Sequence, residues 1–449
     1  MGGGRPAVAI VGAGAAGTAT VWRLRELLGG EIALTVFERG PHVGGRAWDV
    51  PFAGTRVEVG ASLVHSADRY AHALIDFAGA RAVPLTQLTG EPNDGALWTT
   101  GGLAARRRGR STAASRGIAR YAGPAAALRL TGSVKEFAER WARIYPLQAA
   151  GSGYDTVDDL LQALDLRPET LVSLWAHLRA HGVAERAIDE IAAAAVGARY
   201  GQGVEVNAVA GEFVLAAAGL AGGQQAAIEG GSWRLLDRTL RKLKTEIRLK
   251  TAVTGVEGRM LAGSPSYRLS TTTGEVGDFD AVVIAAPLAL AGLRLRADGL
   301  PLTFPLHRYQ EMHTTLVAGE LSSGYFGSPP HRRLPGRILA TPSAGAPFSS
   351  VVLAGRSPTR QVPIYRITSS ARPAGRELVG QLFSRVDDVY HFAWPAAAPV
   401  LTPGTAHLPF ELRPGLFYAC AGETVASAVE VEAVGGVNTA LLVARQLRR

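Results

Sequence analysis

The chain has 449 residues, 47% of them hydrophobic and 19% charged, with a formal net charge of +9. That composition excludes a disordered or coiled-coil chain, and the length suits roughly two or three globular domains. Cys420 is the only cysteine, which excludes an internal disulfide and a cysteine-based metal cluster and suits a reducing compartment.

Residues 7–11, AVAIV, suit a buried parallel strand. They run into Gly12-Ala13-Gly14-Ala15-Ala16-Gly17, the turn that a dinucleotide demands. Gly12 permits the tight turn, Gly14 lets backbone amides approach a pyrophosphate, and Gly17 lets the next helix pack closely. That helix starts at Ala15 and Ala16, aims free amides at the phosphates, and buries Val21, Leu24 and Leu28. A second strand over 32–37 ends at Glu38, with Arg39 beside it. A carboxylate there takes both ribose hydroxyls and repels a 2′-phosphate, so FAD or NAD is expected over NADP. Gly44-Gly45-Arg46 offers a second backbone approach to the pyrophosphate, with Arg46 as charge partner. An NAD dehydrogenase has no evident need of that element, which moves FAD ahead.

Residues 52–64 alternate and then break at Gly60, and 68–79 read as a helix. Signals fade until 133, apart from the basic run Arg106, Arg107, Arg108 and Arg110. That run lacks interleaved aromatic residues, so it reads as a solvated loop and no nucleic-acid partner is expected. Helical spacing covers 133–145, 156–165, 168–181 and 184–197, closing at Tyr200-Gly201-Gln202, and an alanine-rich helix follows over 207–220. Ile228-Glu229-Gly230-Gly231 precedes a helix over 232–244, and strands are expected over 246–257, 266–273 and 279–286. Between 295 and 405 the strands read as short and proline-punctuated, with Thr314–Val317 the most strand-like.

A strand over 415–419, a turn at 420–423 and a helix from about Val431 complete the chain. Gly435 and Gly436 in that helix each cost about 1 kcal/mol relative to alanine. Such a cost is tolerated where something approaches the backbone: a flavin at the positive helix end, or closely packed protein. The histidines are scattered, and the spacing of six between His307 and His313 suits no metal pattern, so no metal is expected. A second GxGxxG is absent, which makes O2 the expected electron acceptor. No apolar run reaches the roughly 18 residues of a membrane span, and no charged leader precedes the first strand, so a cytoplasmic protein is expected.

The nucleotide motif, Gly44-Gly45-Arg46, the 246–286 strand series and the C-terminal Gly422-Glu423 turn with its helix resemble the flavin amine oxidase superfamily. More narrowly, VEVGASLVH (57–65), Ile144-Tyr145, Tyr200-Gly201-Gln202, Ile228–Gly231, HTTLVAGEL (313–321) and SAVE (427–430) resemble the prenylcysteine oxidase family, also called prenylcysteine lyases. The resemblance implies an α/β fold. A Rossmann-type FAD-binding domain of the two-dinucleotide, amine-oxidase-like plan would comprise 1–85, 225–292 and 405–449. A mixed helical and antiparallel-sheet substrate domain would comprise 86–224 and 293–404. In a flavoprotein of this plan Gly60, Ala61 and Ser62 pass beside the isoalloxazine, Val253 brings its main chain to the adenine, and Gly422 and Glu423 lie at the ribityl chain. Val429, Glu430 and Val431 would form the flavin-facing wall. His65, His313 and Thr315 are candidates for the substrate side, although a satisfied structural histidine is the plainer reading of His65 and His313.

The implied activity is oxidative thioether cleavage with bound FAD: S-prenylcysteine, water and O2 give cysteine, a prenyl aldehyde and hydrogen peroxide. A C–H bond next to sulfur and allylic to an alkene can give hydride to flavin N5, because sulfur and alkene both stabilise the cation. Water then adds, and the hemithioacetal collapses. This asks for positioning and a dry flavin face more than for an acid–base pair. Two alternatives stay open: a flavin oxidase of another thioether or amine in bacterial secondary metabolism, and a non-catalytic prenyl-binding carrier of the Rab escort type. The intact glycine turn with Glu38 and Arg46 argues against the carrier.

Overall fold

The computed structural model describes residues 5–91, 94–107, 112–261, 263–330 and 332–448, without the side chains of 106–107 and 112–115. The basic run at 106–110 therefore lies outside the described side chains. Ala7–Val11 occupies the middle of a six-stranded sheet with the order Glu246–Arg248, Ala33–Phe37, Ala7–Val11, Ala281–Ile284, Leu416–Tyr418, Glu411–Arg413. The first five are parallel and the last pairs antiparallel. Val8, Ala9, Ile10, Val282, Val283 and Ile284 are wholly buried, which is why these strands are unbroken apolar runs instead of alternating ones. Val11 stands level with both Phe37 and Ile284, so three strands end together, and a crevice beyond such ends is where this kind of sheet takes ligands.

Helices Ala15–Leu28 and Val429–Leu447 pack against one another. A Cβ on Gly436 would collide with Ala16 O, and one on Gly435 with Ala419 O. The two glycines thus serve tight protein packing, the second of the two readings their cost allowed. Thr20 Oγ1 donates to Gly436 O (3.2 Å) across the same contact.

The expected strand over 246–257 is two strands in two sheets. Glu246–Arg248 closes the parallel sheet, whereas Val253–Leu261 enters a five-stranded sheet beside Ser264–Thr271 and Arg294–Ala297. Lys250, at φ 53°, turns the chain between them, a bend that alternating polarity does not reveal.

The region 295–405 departs furthest from expectation. Tyr309–Leu321 and Phe383–Pro399 form a long antiparallel pair at one side of a seven-stranded sheet. Register shifts near 310–312 and 318–321 break the alternation, and Pro395 sits in an edge strand, where a missing N–H is tolerated. In the helical region, the helix expected from 133 starts at Pro124 and runs to Trp141, with Pro124 in its first turn, and Thr112–Ala122 precedes it. The 168–181 pattern is a 3₁₀ turn, Pro168–Thr170, followed by Leu174–Ala180, which Ser173 caps. The 184–197 pattern is a π turn, Ala187–Ala192, continuing as Ala193–Tyr200.

Candidate functional site

The three motif glycines are spent differently. Gly12 has φ 111°, and a Cβ there would lie 2.7 Å from Ala285 O. A Cβ on Gly17 would strike Gly12 O, whereas one on Gly14 would meet nothing within 4 Å. Gly14 is also the N-cap of Ala15–Leu28 and offers no side-chain acceptor to its first amides. Gly44 N donates to Ala13 O (3.0 Å), and the Cβ position of Gly45 lies 3.5 Å from Gly14 Cα. Both glycine segments therefore meet at a helix N-terminus, an arrangement built for an anion. Glu38 accepts from Ala13 N (3.0 Å) and Gly40 N (2.7 Å), which fixes its carboxylate beside the same turn. Arg39 turns outward to Leu290 O (3.1 Å).

Gly14→Ala should leave the melting temperature of the flavin-free protein within the shift given by about 0.5 kcal/mol, since the added methyl enters open space. Flavin affinity should fall by about tenfold or more, roughly 1.4 kcal/mol. Fluorescence titration with FAD checks this, and an unchanged affinity would show that Gly14 does not face the phosphates.

The Arg46 guanidinium, expected at the pyrophosphate, is held by two carboxylates. It pairs with Glu423 and with Glu432 (3.3 Å) and donates to Ala397 O (3.2 Å). Tyr309 Oη donates to the second Glu423 oxygen (3.0 Å). Burial opposes the charge of Arg46, but Glu423 and Glu432 outweigh it and hold the group protonated beyond the usual arginine range. Burial, reinforced by the charge of Glu423, pushes Glu432 up to about 8 against the pull of Arg46. Burial, with Glu432 and Glu423, pushes the Cys420 thiol up, so this cysteine is no ready nucleophile. Cys420, Glu423 and Glu432 could converge on a metal ion, but Arg46 already supplies their positive charge.

The segment that follows strand Thr55–Glu58 is shaped by main chain. Ala61 N donates to Arg46 O (3.0 Å), and a Cβ on Gly60 would collide with that same oxygen. Trp394 Nε1 (2.9 Å) and Thr314 Oγ1 (3.2 Å) both donate to Val59 O. Thr314 faces this segment, and Thr315 does not, because neighbouring strand residues point to opposite faces. Thr315 is wholly buried and bonds His391 Nδ1 (3.0 Å) and Ala374 N (3.1 Å). His313, on the Thr315 face, pairs with Glu311 (3.5 Å). His65 meets Gly222 O (3.0 Å) through Nε2 and accepts from Ala67 N (3.2 Å) through Nδ1, as a structural histidine does.

Glu430 has a role that the sequence reading missed. Its carboxylate accepts from Tyr70 N (2.9 Å), Ala71 N (2.8 Å) and Tyr145 Oη (2.8 Å), so it caps the start of helix Arg69–Ala78 from 359 residues away. Its side chain is thereby unavailable to a flavin, while Val429 and Val431 beside it keep their places in the first turn of the last helix. The resemblance stretches prove to be staples. Tyr145 meets Glu430; Tyr200 Oη accepts from Ser427 N (3.3 Å); and Gln202 bonds both Pro399 O and Leu401 N (2.9 Å each). Val253 is buried at the start of its strand, opposite Thr271. Gly422 lies in the short turn Ala421–Thr424 that also carries Glu423.

Residues 118–449 match the family model described as prenylcysteine lyase, and residues 10–78 match an NAD(P)-binding Rossmann-like domain. The chain is 29% identical over 469 residues to prenylcysteine oxidase 1-like of Bos taurus, covering 97% of this chain and 89% of that one. It is 24% identical to farnesylcysteine lyase of Arabidopsis thaliana, covering 97% and 87%. Its fold is similar to that of cyclohexylamine oxidase from Brevibacterium oxydans, with a TM-score of 0.65 at 16% identity over 99% of this chain and 100% of that one.

Proposed function

The chain belongs to the prenylcysteine lyase family, and from that membership we propose that it is an FAD-dependent oxidase cleaving the thioether C–S bond of a prenylcysteine-like substrate. Water and O2 are consumed, and thiol, aldehyde and hydrogen peroxide are released. The observation that carries this reading is the meeting of two glycine segments at the open Gly14, beside the fixed carboxylate of Glu38. FAD, when bound, supplies the hydride acceptor and passes the electrons to O2.

The residues present fit that group. The amides of Gly14, Ala15 and Ala16 with Gly44 and Gly45 would take the pyrophosphate, Glu38 the ribose, and the main chain of Val253 the adenine. Gly60, Ala61 and Ser62 on one side, with Gly422, Glu423 and Val431 on the other, would enclose the ribityl chain and ring. The ion cluster at Arg46 is in place to hold Glu423 rigid there. The nucleotide domain would comprise 1–85, 225–302 and 405–449, and the substrate domain 86–224 and 303–404; the boundary expected at 292 moves because Arg294–Ala297 and Leu300–Leu302 pair into the sheet of Val253–Leu261. Among the described residues no helix is long and apolar enough to cross a membrane, and the single cysteine supports a cytoplasmic site of action.

Anaerobic mixing of the yellow protein with farnesylcysteine, a simple thioether and a panel of amines tests the reading. Farnesylcysteine is expected to bleach the flavin, with free thiol appearing in equal amount. Bleaching by amines alone would sink the thioether assignment, and a purified protein without flavin absorbance would favour the carrier.

A further inference from the structure

A cavity of about 410 Å³ lies between the hairpin of Asp49–Phe52 and Thr55–Glu58, the strands Leu63–His65 and Gln225–Ile228, and Ser350–Arg356 with Pro363–Ser369 of the large sheet. That size falls within the roughly 300–1,000 Å³ of small-molecule sites. Its lining includes the apolar side chains of Leu63, Leu85, Leu88, Ile228, Leu353 and Ala354. It also includes Glu58, Ser62 and Arg366.

Four arginines line the cavity, and three have evident local partners. Arg56 pairs with Asp49, Arg234 donates to Gly230 O (2.8 Å), and Arg337 donates to Gln225 (2.8 Å). Arg366 is different. It donates to two uncharged oxygens, Ser62 Oγ (3.0 Å) and the main-chain O of Glu58 (3.5 Å), and forms no ion pair among the described residues. A guanidinium has five donors, and enclosing one without a directly paired carboxylate is costly. Burial lowers its pKa, the charge of Glu58 works against this, and Arg199 lowers it further. Glu58 spends one carboxylate oxygen on Ser232 N (2.7 Å).

We propose that this cavity holds the amino-acid end of the thioether, with Arg366 taking the α-carboxylate, Glu58 facing the α-ammonium, and the lining leucines taking the apolar S-substituent. The inference rests on the thioether reading and extends it by naming the group that recognises the substrate. Zwitterion and hydrocarbon find charged and apolar side chains in one space, and a bidentate carboxylate would use the guanidinium donors that Ser62 and Glu58 leave over. Ser62 belongs to the 60–62 segment assigned to the ring, so a substrate anchored on Arg366 sits beside that segment.

The test uses the flavin-loaded protein and two ligands without an allylic C–H bond, S-dodecylcysteine and its decarboxylated analogue S-dodecylcysteamine, with Kd measured by calorimetry. The wild type should prefer the carboxylate by roughly 10- to 100-fold, the range of a charge-assisted hydrogen bond. Arg366→Gln should abolish the preference by weakening only S-dodecylcysteine, and Arg366→Lys should restore part of it. Equal weakening of both ligands, or no preference in the wild type, would overturn the assignment. So would loss of flavin from Arg366→Gln, which would give the cavity to the cofactor. Should that variant not fold, S-dodecylcysteine amide against the wild type asks the same question. A carboxylate preference without bleaching by farnesylcysteine would defeat the oxidase reading while the anion site stood; bleaching without a preference would do the reverse.

Discussion

Arg46→Ala is expected to destabilise the protein by about 3–5 kcal/mol, the range for removing one partner of a buried ion pair. The loss comes from what is left behind. Glu423, 1% exposed, and Glu432, 8% exposed, would share a dry space with no cation between them. Tyr309 satisfies one oxygen of Glu423, which a hydrogen bond alone does not neutralise. Urea denaturation of the wild type and variant measures the cost, and flavin content measures whether the cofactor is still held. Adding Glu432→Gln to Arg46→Ala should change the loss little at neutral pH, because burial and Glu423 already push Glu432 up to about 8 and without Arg46 it stays protonated. A cost under about 1 kcal/mol, within the range of surface pairs, would mean that the three groups do not depend on one another.

Gly436→Val should lie near or above the upper end of the overpacking range, about 3 kcal/mol. The obstacle is backbone: a Cβ would run into Ala16 O, with Ala19 Cβ and Thr20 N at 3.0 Å. No rotamer relieves that, so the two helices must part and the glycine turn at the head of Ala15–Leu28 must move with them. Gly132→Ala is the control. Gly132 sits exposed within Pro124–Trp141 with nothing within 4 Å of its Cβ position, so alanine should add about 0.5–1 kcal/mol there. If both substitutions proved neutral in thermal melts, the close helix contact would not be structural.

The nucleotide half was readable because its constraints are local. Buried parallel strands need continuous apolar runs, and the turn needs glycines at fixed offsets, so 7–38 and 279–286 carry their own structure. The large sheet was unreadable for the opposite reason. Tyr309–Leu321 is held by partners more than 40 residues away, and its register shifts erase the period-two pattern that would have disclosed it. In the site, the glycine turns and Glu38 lie together at the head of the first helix, a local arrangement that spacing can carry, whereas Arg46 and Glu430 bond partners that only the fold supplies. Thr315 turns to the face of its strand opposite Val59, where it bonds His391 and Ala374, and a side chain's face is set by pairing that composition alone does not reveal. Arg366 drew no attention at all, since one arginine among so many has no distinguishing neighbours in the chain.

The sheet order has a bearing on biosynthesis. Ala7–Val11 is translated well before its partner Ala281–Ile284, which emerges some 270 residues later, and Leu416–Tyr418 and the helix that lies against Ala15–Leu28 follow later still. Until the ribosome has released that helix, the first helix has a bare face and the start of Arg69–Ala78 lacks the carboxylate that caps it. The first strands therefore wait for partners made much later, and the nascent chain must keep them from pairing wrongly in the interval.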